Sequence, residues 1–150
     1  GRRLQAFRQY VSLAESEQAA AQLYQIWEKR ELEGKPLSER DEINLSYQLA
    51  IRLPEKADEI VNEQLKRISN PDRQAEYLFI SPSVSPRKEV RDSVFEALLV
   101  ADNRRIEPWA STAVSLLNHR LREAESVEYI RPALEILEEV QDHIYTLKFW

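Results

Sequence analysis

Between Asn103 and Gln141 apolar residues recur at intervals of three and four, the spacing that gathers them on one face of an α-helix. Trp109, Ala113, Leu116 and Leu117 make one such stripe, and Ile130, Ala133, Leu134, Leu137 and Val140 make a second, with a short basic and acidic connector between them. Two striped helices joined this closely pack as antiparallel neighbours. The chain upstream reads as earlier copies of the same plan. Only two glycines stand against seven prolines, a balance that suits helices with proline-marked corners and argues against a sheet protein.

From the N-terminus, Leu4, Phe7, Val11 and Ala14 form the stripe of a first helix over 2–14. Ser16 caps a second, which carries Ala20, Leu23, Tyr24 and Trp27 inward and runs to about Leu32, where Gly34, Lys35 and Pro36 end it. Ser38 and Asp41 form a capping box for a third, with Ile43, Tyr47, Ala50 and Ile51 facing inward and Pro54 stopping it after Leu53. A fourth, over about 55–68, has Ala57, Ile60, Val61, Leu65 and Ile68 on its stripe. Asn70, Pro71 and Asp72 signal the start of a short fifth helix over 73–80, with Ala75, Leu78 and Phe79 available to pack.

Ser81 to Pro86, with two Ser-Pro steps, reads as a loop by composition. Ser85 and Pro86 then supply a cap and first position for a sixth helix, whose inner face is Val90, Val94, Ala97, Leu98 and Ala101. Glu107 and Pro108 repeat the device for the Trp109 helix. For the last helix either Arg131 and Pro132 do so, or Ser126 caps it and Pro132 kinks it. The reading is all-α: about eight helices in short-linked antiparallel hairpins over a single domain, 1–150, with no defensible strand. Both a stacked HEAT-like solenoid and a closed bundle fit, and the sustained pairing without long crossovers favours the stack, although no strict period is visible.

Composition excludes several functions. There is no cysteine, which removes disulfides, thiolate chemistry and Cys-based zinc sites and leaves the compartment unknown. A net charge of -5 argues against nucleic-acid binding, which needs a basic surface to release counterions. No apolar run approaches the ~20 residues of a membrane helix, so no membrane partner is expected. Methionine is absent too, and Gly1 reads as a scar of tag removal, so the sequence looks like an excised or engineered piece of a longer protein.

Chemistry-bearing constellations are sparse. The two histidines, His119 and His143, lack the i, i+4 partner of a zinc helix, and His119 reads as a helix-terminal group meeting exposed carbonyls. Glu135, Glu138 and Glu139 read as solvated helix surface, with Arg131 one turn before Glu135. Gly1 and Gly34 cannot build a phosphate loop, and no serine sits in a G-x-S-x-G elbow. No cofactor, metal or catalytic residue is therefore expected. The last residues are the clearest anomaly, because Tyr145, Phe149 and Trp150 crowd a terminus: they either cover the end of the helical stack or anchor a protein partner.

From Asn70 onward the sequence resembles the C-terminal helical domain of bacterial M1-family zinc aminopeptidases. The resemblance rests on Asn70-Pro71-Asp72-Arg73, Phe79-Ile80-Ser81-Pro82-Ser83, Arg91-Asp92 with Phe95-Glu96, and Asn103-Arg104 followed by Glu107-Pro108-Trp109. It continues through Leu117-Asn118-His119 and Leu121-Arg122 to Tyr129-Ile130-Arg131-Pro132-Ala133-Leu134-Glu135, with Leu37-Ser38-Glu39-Arg40-Asp41 and Asn44-Leu45 similar upstream. It implies a HEAT-like right-handed superhelix that packs over a catalytic domain and helps enclose its cleft. The H-E-x-x-H zinc helix of such enzymes lies in another domain and is missing from this sequence, so a non-enzyme is expected.

The ending from Gln141 to Lys148 differs from the Gly-Asp-Ile-Phe-Phe-Pro-like ending of the family, and Arg120 stands where a proline is common. These departures leave an engineered protein-binding scaffold built on that domain as the alternative, with a designed target instead of a parent catalytic domain as partner. An interaction surface on either reading comprises Asn103, Arg104, Trp109, His119, Tyr145, Phe149 and Trp150. An independent carboxylate-pair enzyme is the least favoured reading, for want of a positioned acid-base partner.

Overall fold

The computed structural model describes residues 2–13 and 16–122. Among these are seven α-helices, with short 3-10 turns after α3, α5, α6 and α7: α1 (Arg2–Leu13), α2 (Glu17–Lys29), α3 (Glu39–Arg52), α4 (Ala57–Arg67), α5 (Pro71–Ile80), α6 (Lys88–Leu98) and α7 (Glu107–Leu117). The chain is mostly helical, as the stripes predict. Ala14 and the Ile130 stripe lie outside the described residues, as do Tyr145, Phe149 and Trp150.

By compactness the chain divides into two units, 1–77 and 78–150. In the first, Phe7 and Val11 of α1, Leu23 and Trp27 of α2, Leu45 and Leu49 of α3 and Ile60 of α4 close one core. In the second, Phe95 and Leu98 of α6 meet Ala110, Ala113, Val114 and Leu117 of α7, with Phe79 and Val94 against them.

Helix starts follow the sequence closely. Ser16 Oγ accepts from the Ala19 amide at 3.1 Å, and Ser38 Oγ accepts from the Asp41 amide at 3.1 Å. Asn70 Oδ1 accepts from the Asp72 and Arg73 amides at the head of α5. Each satisfies donors that a first turn leaves without a partner. Helix ends are closed differently. Arg52 of α3 donates to Val11 O at 2.8 Å, Arg67 of α4 donates to Trp27 O at 2.8 Å, and Arg104 donates to Leu98 O at 2.7 Å. Guanidinium groups thus bond last-turn carbonyls of α1, α2 and α6, where the helix dipole favours cations.

Five expectations need correction. The second helix stops at Lys29 instead of Leu32, and a short antiparallel hairpin follows, β1 (Glu31–Leu32) with β2 (Lys35–Pro36), in the register Glu31 to Pro36 and Leu32 to Lys35. Arg30 is left-handed at φ 61°, with its amide returning to Trp27 O, which ends the helix; Glu33 at φ 50° and Gly34 at φ 79° then supply the two positive φ values of a type I′ turn. On α4 the buried positions are Ala57, Ile60 and Gln64, with Val61 and Leu65 only half-buried.

On α5 the inward residues are Tyr77 and Ile80, whereas Ala75 and Leu78 are exposed. Tyr77 stacks on Tyr47, ring centroids 5.3 Å apart, and shares a 2.9 Å hydrogen bond with Ser46, which selects that face of the helix. Burial pushes the pKa of both phenols up, so both stay neutral well into the alkaline range.

The Ser81 to Pro86 segment is a 3-10 turn over Ser81–Val84 with Ser81, Ser83, Val84 and Ser85 buried, not a surface loop. Finally α6 begins at Lys88, and its buried face is Arg91, Phe95 and Leu98, with Ala97 and Ala101 exposed. Ser85 turns the chain before the helix by accepting from the Arg87 amide at 3.2 Å, and Arg91 faces inward to donate to Ser85 O at 2.7 Å. A rule that keeps charge outside misplaces that face.

The hairpin turn gives a direct test. A glutamate at positive φ is strained, and asparagine tolerates that geometry far better. Glu33→Asn is expected to stabilise the fold by about 0.5–1 kcal/mol, seen as a rise of roughly 1–4 °C in Tm. Its one cost, the exposed Arg3–Glu33 ion pair at 3.0 Å, is small because both side chains are largely solvated.

Candidate functional site

Two polar constellations meet at the start of α3, where Glu39, Asp41 and Glu42 occupy the first turn. Asp41 faces α1: Arg8 donates to both of its carboxylate oxygens, at 3.0 and 3.2 Å, and Ser38 Oγ donates to Oδ2 at 2.9 Å. That bonding, together with the negative charge, raises the Arg8 pKa above its ordinary value.

Glu42 faces the other way, into the core, with only 3% of the residue exposed. Arg30 reaches it with Nε at 3.0 Å and Nη2 at 3.4 Å, and Arg67 Nη1 lies 3.2 Å from Oε1. The Arg67 guanidinium also lies over the Trp27 ring, 4.2 Å from its centroid. Trp27 Nε1 donates to Gln64 Oε1 at 2.7 Å, and Gln64 Nε2 is buried without a hydrogen-bond partner. Arg30, left-handed at the end of α2, carries the guanidinium that meets Glu42. Two guanidinium groups on one buried carboxyl make a charge-assisted hydrogen-bond network that ties α3 to α4 and to the end of α2.

Beside the Asp41 constellation lies a cleft of about 530 Å³, lined by Arg2, Arg3 and Leu4 of α1, by Leu32, Glu33, Lys35, Pro36 and Leu37 of the hairpin region, and by Ser38 and Asp41. Its size falls within the range of ligand-holding clefts. A smaller hollow of about 300 Å³ is lined by Phe7, Arg8, Val11, Asp41, Asn44, Leu45 and Gln48, sharing Asp41 with the cleft.

Of the residues singled out by sequence, Asn103, Arg104, Trp109 and His119 are described, and each has an internal task. Asn103 Nδ2 donates to Ala97 O at 2.8 Å, which with the Arg104 bond to Leu98 O pins the connector to the end of α6. Trp109 is half-buried and tilted against Phe79, centroids 5.8 Å apart. His119 Nδ1 accepts from the Leu121 amide at 3.1 Å. No His, Asp or Glu side chains gather in threes as a metal would require, among the described residues.

Sequence reasoning missed Arg8, Arg30, Glu42, Gln64 and Arg67. One local signal existed: Gln64 interrupts an apolar row, Ile60 to Ile68, at i, i+4 spacing, and a polar residue inside a stripe marks a buried hydrogen bond. Comparison of the chain with protein-family models, with curated proteins and with solved structures finds no match.

Proposed function

We propose that this chain is the non-catalytic helical domain of a zinc aminopeptidase of the M1 type, packing against a catalytic domain that carries the zinc site and helping to enclose its cleft. The observation that supports this reading is what the residues behind the resemblance do. Asn70 caps α5, Arg91 holds the turn at Ser85, Asn103 and Arg104 close α6, Pro108 stands in the first turn of α7, and Trp109 meets Phe79. Their shared task is to set helix ends and corners, so the resemblance bears on a helical scaffold and not on a reaction. Helix pairing within each unit is compatible with a HEAT-like right-handed superhelix of about eight helices, the finer architecture this proposal carries.

The test is reconstitution. Joined to the catalytic portion of such a peptidase that lacks its own helical domain, the chain is expected to restore hydrolysis of an aminoacyl anilide, while the chain alone with zinc stays inactive. Turnover by the isolated chain, or a joined enzyme no more active than the truncated one, would overturn the proposal.

A further inference from the structure

The cleft between α1 and the hairpin combines an aliphatic floor with a cationic rim, in a chain whose net charge is -5. Leu4, Leu32 and Leu37 are only partly buried, each packed on the first unit's core with one side and lining the cleft with the other. Arg2, Arg3 and Lys35 stand around this floor, and Asp41, at its base, is already neutralised by Arg8 and held by Ser38. Arg2 and Lys35 pair with no carboxylate among the described residues.

Arg3 is engaged, and its partner is instructive. The carboxylate that meets it is Glu33, carried at a left-handed position of the hairpin turn, and the pair is exposed at 89% and 64% of the two side chains. A weakly held internal carboxylate therefore sits where an incoming one would bind.

We propose that this cleft is a docking site for an extended acidic peptide segment, its aliphatic side chains lying on Leu4, Leu32, Pro36 and Leu37 and its carboxylates on Arg2, Arg3 and Lys35, with Glu33 as a built-in competitor for Arg3. Charge complementarity selects this occupant: a basic segment would meet three cations, and an uncharged one would leave the rim unused. The inference stands apart from the proposed function, because it concerns only the first unit.

The test is calorimetric titration of the full chain with two blocked peptides, acetyl-Glu-Leu-Glu-Leu-Glu-amide and its counterpart with lysine in place of glutamate. The acidic peptide is expected to bind, at least about tenfold more tightly than the basic one, and to weaken as salt is raised. Glu33→Gln frees Arg3 and should tighten binding by roughly threefold, whereas Arg2→Glu with Lys35→Glu should weaken it by about tenfold or more. Circular dichroism checks that these exposed changes leave the fold intact. Equal affinity for the two peptides, no binding of the acidic one, or a Glu33→Gln chain that binds it no better than the parent would each overturn the proposal.

Discussion

Replacing Glu42 by alanine is expected to lower folding stability by about 3 kcal/mol, the lower end of the range for breaking a buried ion pair. The loss arises less from the missing attraction than from what remains. The Arg67 side chain is 9% exposed, and without Glu42 its nearest carboxylate is Glu63, 3.6 Å from Nε and half in solvent. Arg30 has a side chain 54% exposed and can turn to water, so Arg30→Ala should show much the smaller effect. Urea unfolding followed by circular dichroism measures both. If the two variants lose equal stability, the account of Arg67 as the stranded charge is wrong.

Trp27→Ala should lose about 3–5 kcal/mol, the range for removing a large aromatic from a core. The indole is 2% exposed, touches Tyr24 at a centroid distance of 5.7 Å, lies under Arg67 and gives Gln64 its one hydrogen bond. A finer experiment separates packing from polarity. Trp27→Phe retains much of the volume but leaves the whole Gln64 amide unpaired, and Gln64→Leu leaves the indole N–H unpaired, so each should lose ~1–3 kcal/mol. The double variant removes both orphans together with the already unpaired Gln64 Nε2, and should be more stable than the sum of the single losses implies. Strict additivity across the cycle would show that the Trp27–Gln64 bond contributes nothing of its own.

Much of the scaffold was legible because its signals are local. Ser16, Ser38 and Asn70 announce helix starts within three residues of the amides they satisfy, and Pro54 ends α3 at the residue before it. The expected stripe residues Ala20, Leu23 and Trp27 of α2, Ile43, Tyr47, Ala50 and Ile51 of α3, and Ala113, Leu116 and Leu117 of α7 are buried, because apolar periodicity is a local signal, whereas the buried Glu42 and Ser46 of α3 carry no such signal. What failed depends on partners distant in sequence or on geometry that composition does not signal. Tyr77 turns inward because Tyr47 and Ser46 wait for it from α3. The Glu33-Gly34 turn escaped notice because glutamate lacks the left-handed preference that makes Asn-Gly recognisable, and because the stripe of α2 appears to run on to Leu32.

The site followed the same division. Asn103, Arg104, Trp109 and His119 stand out for their chemistry, yet their bonds are internal, and the cleft between α1 and the hairpin is not foreseen when the helix is read to Leu32 and Gly34, Lys35 and Pro36 only as its end. Glu42 is one of three acids in a first turn, and nothing local sets it apart. Its partner Arg67 is 25 residues away, and no periodicity connects them.

The arginine bonds to helix-end carbonyls have a consequence for biosynthesis. The trailing turn of α1 waits for Arg52, and the second bond to Trp27 O, already closed once by the Arg30 amide, waits for Arg67, each supplied by an element translated later. A nascent segment carrying only the first two helices therefore lacks both guanidinium bonds, and it gains its finished form when α3 and α4 have left the ribosome and swung those arms across.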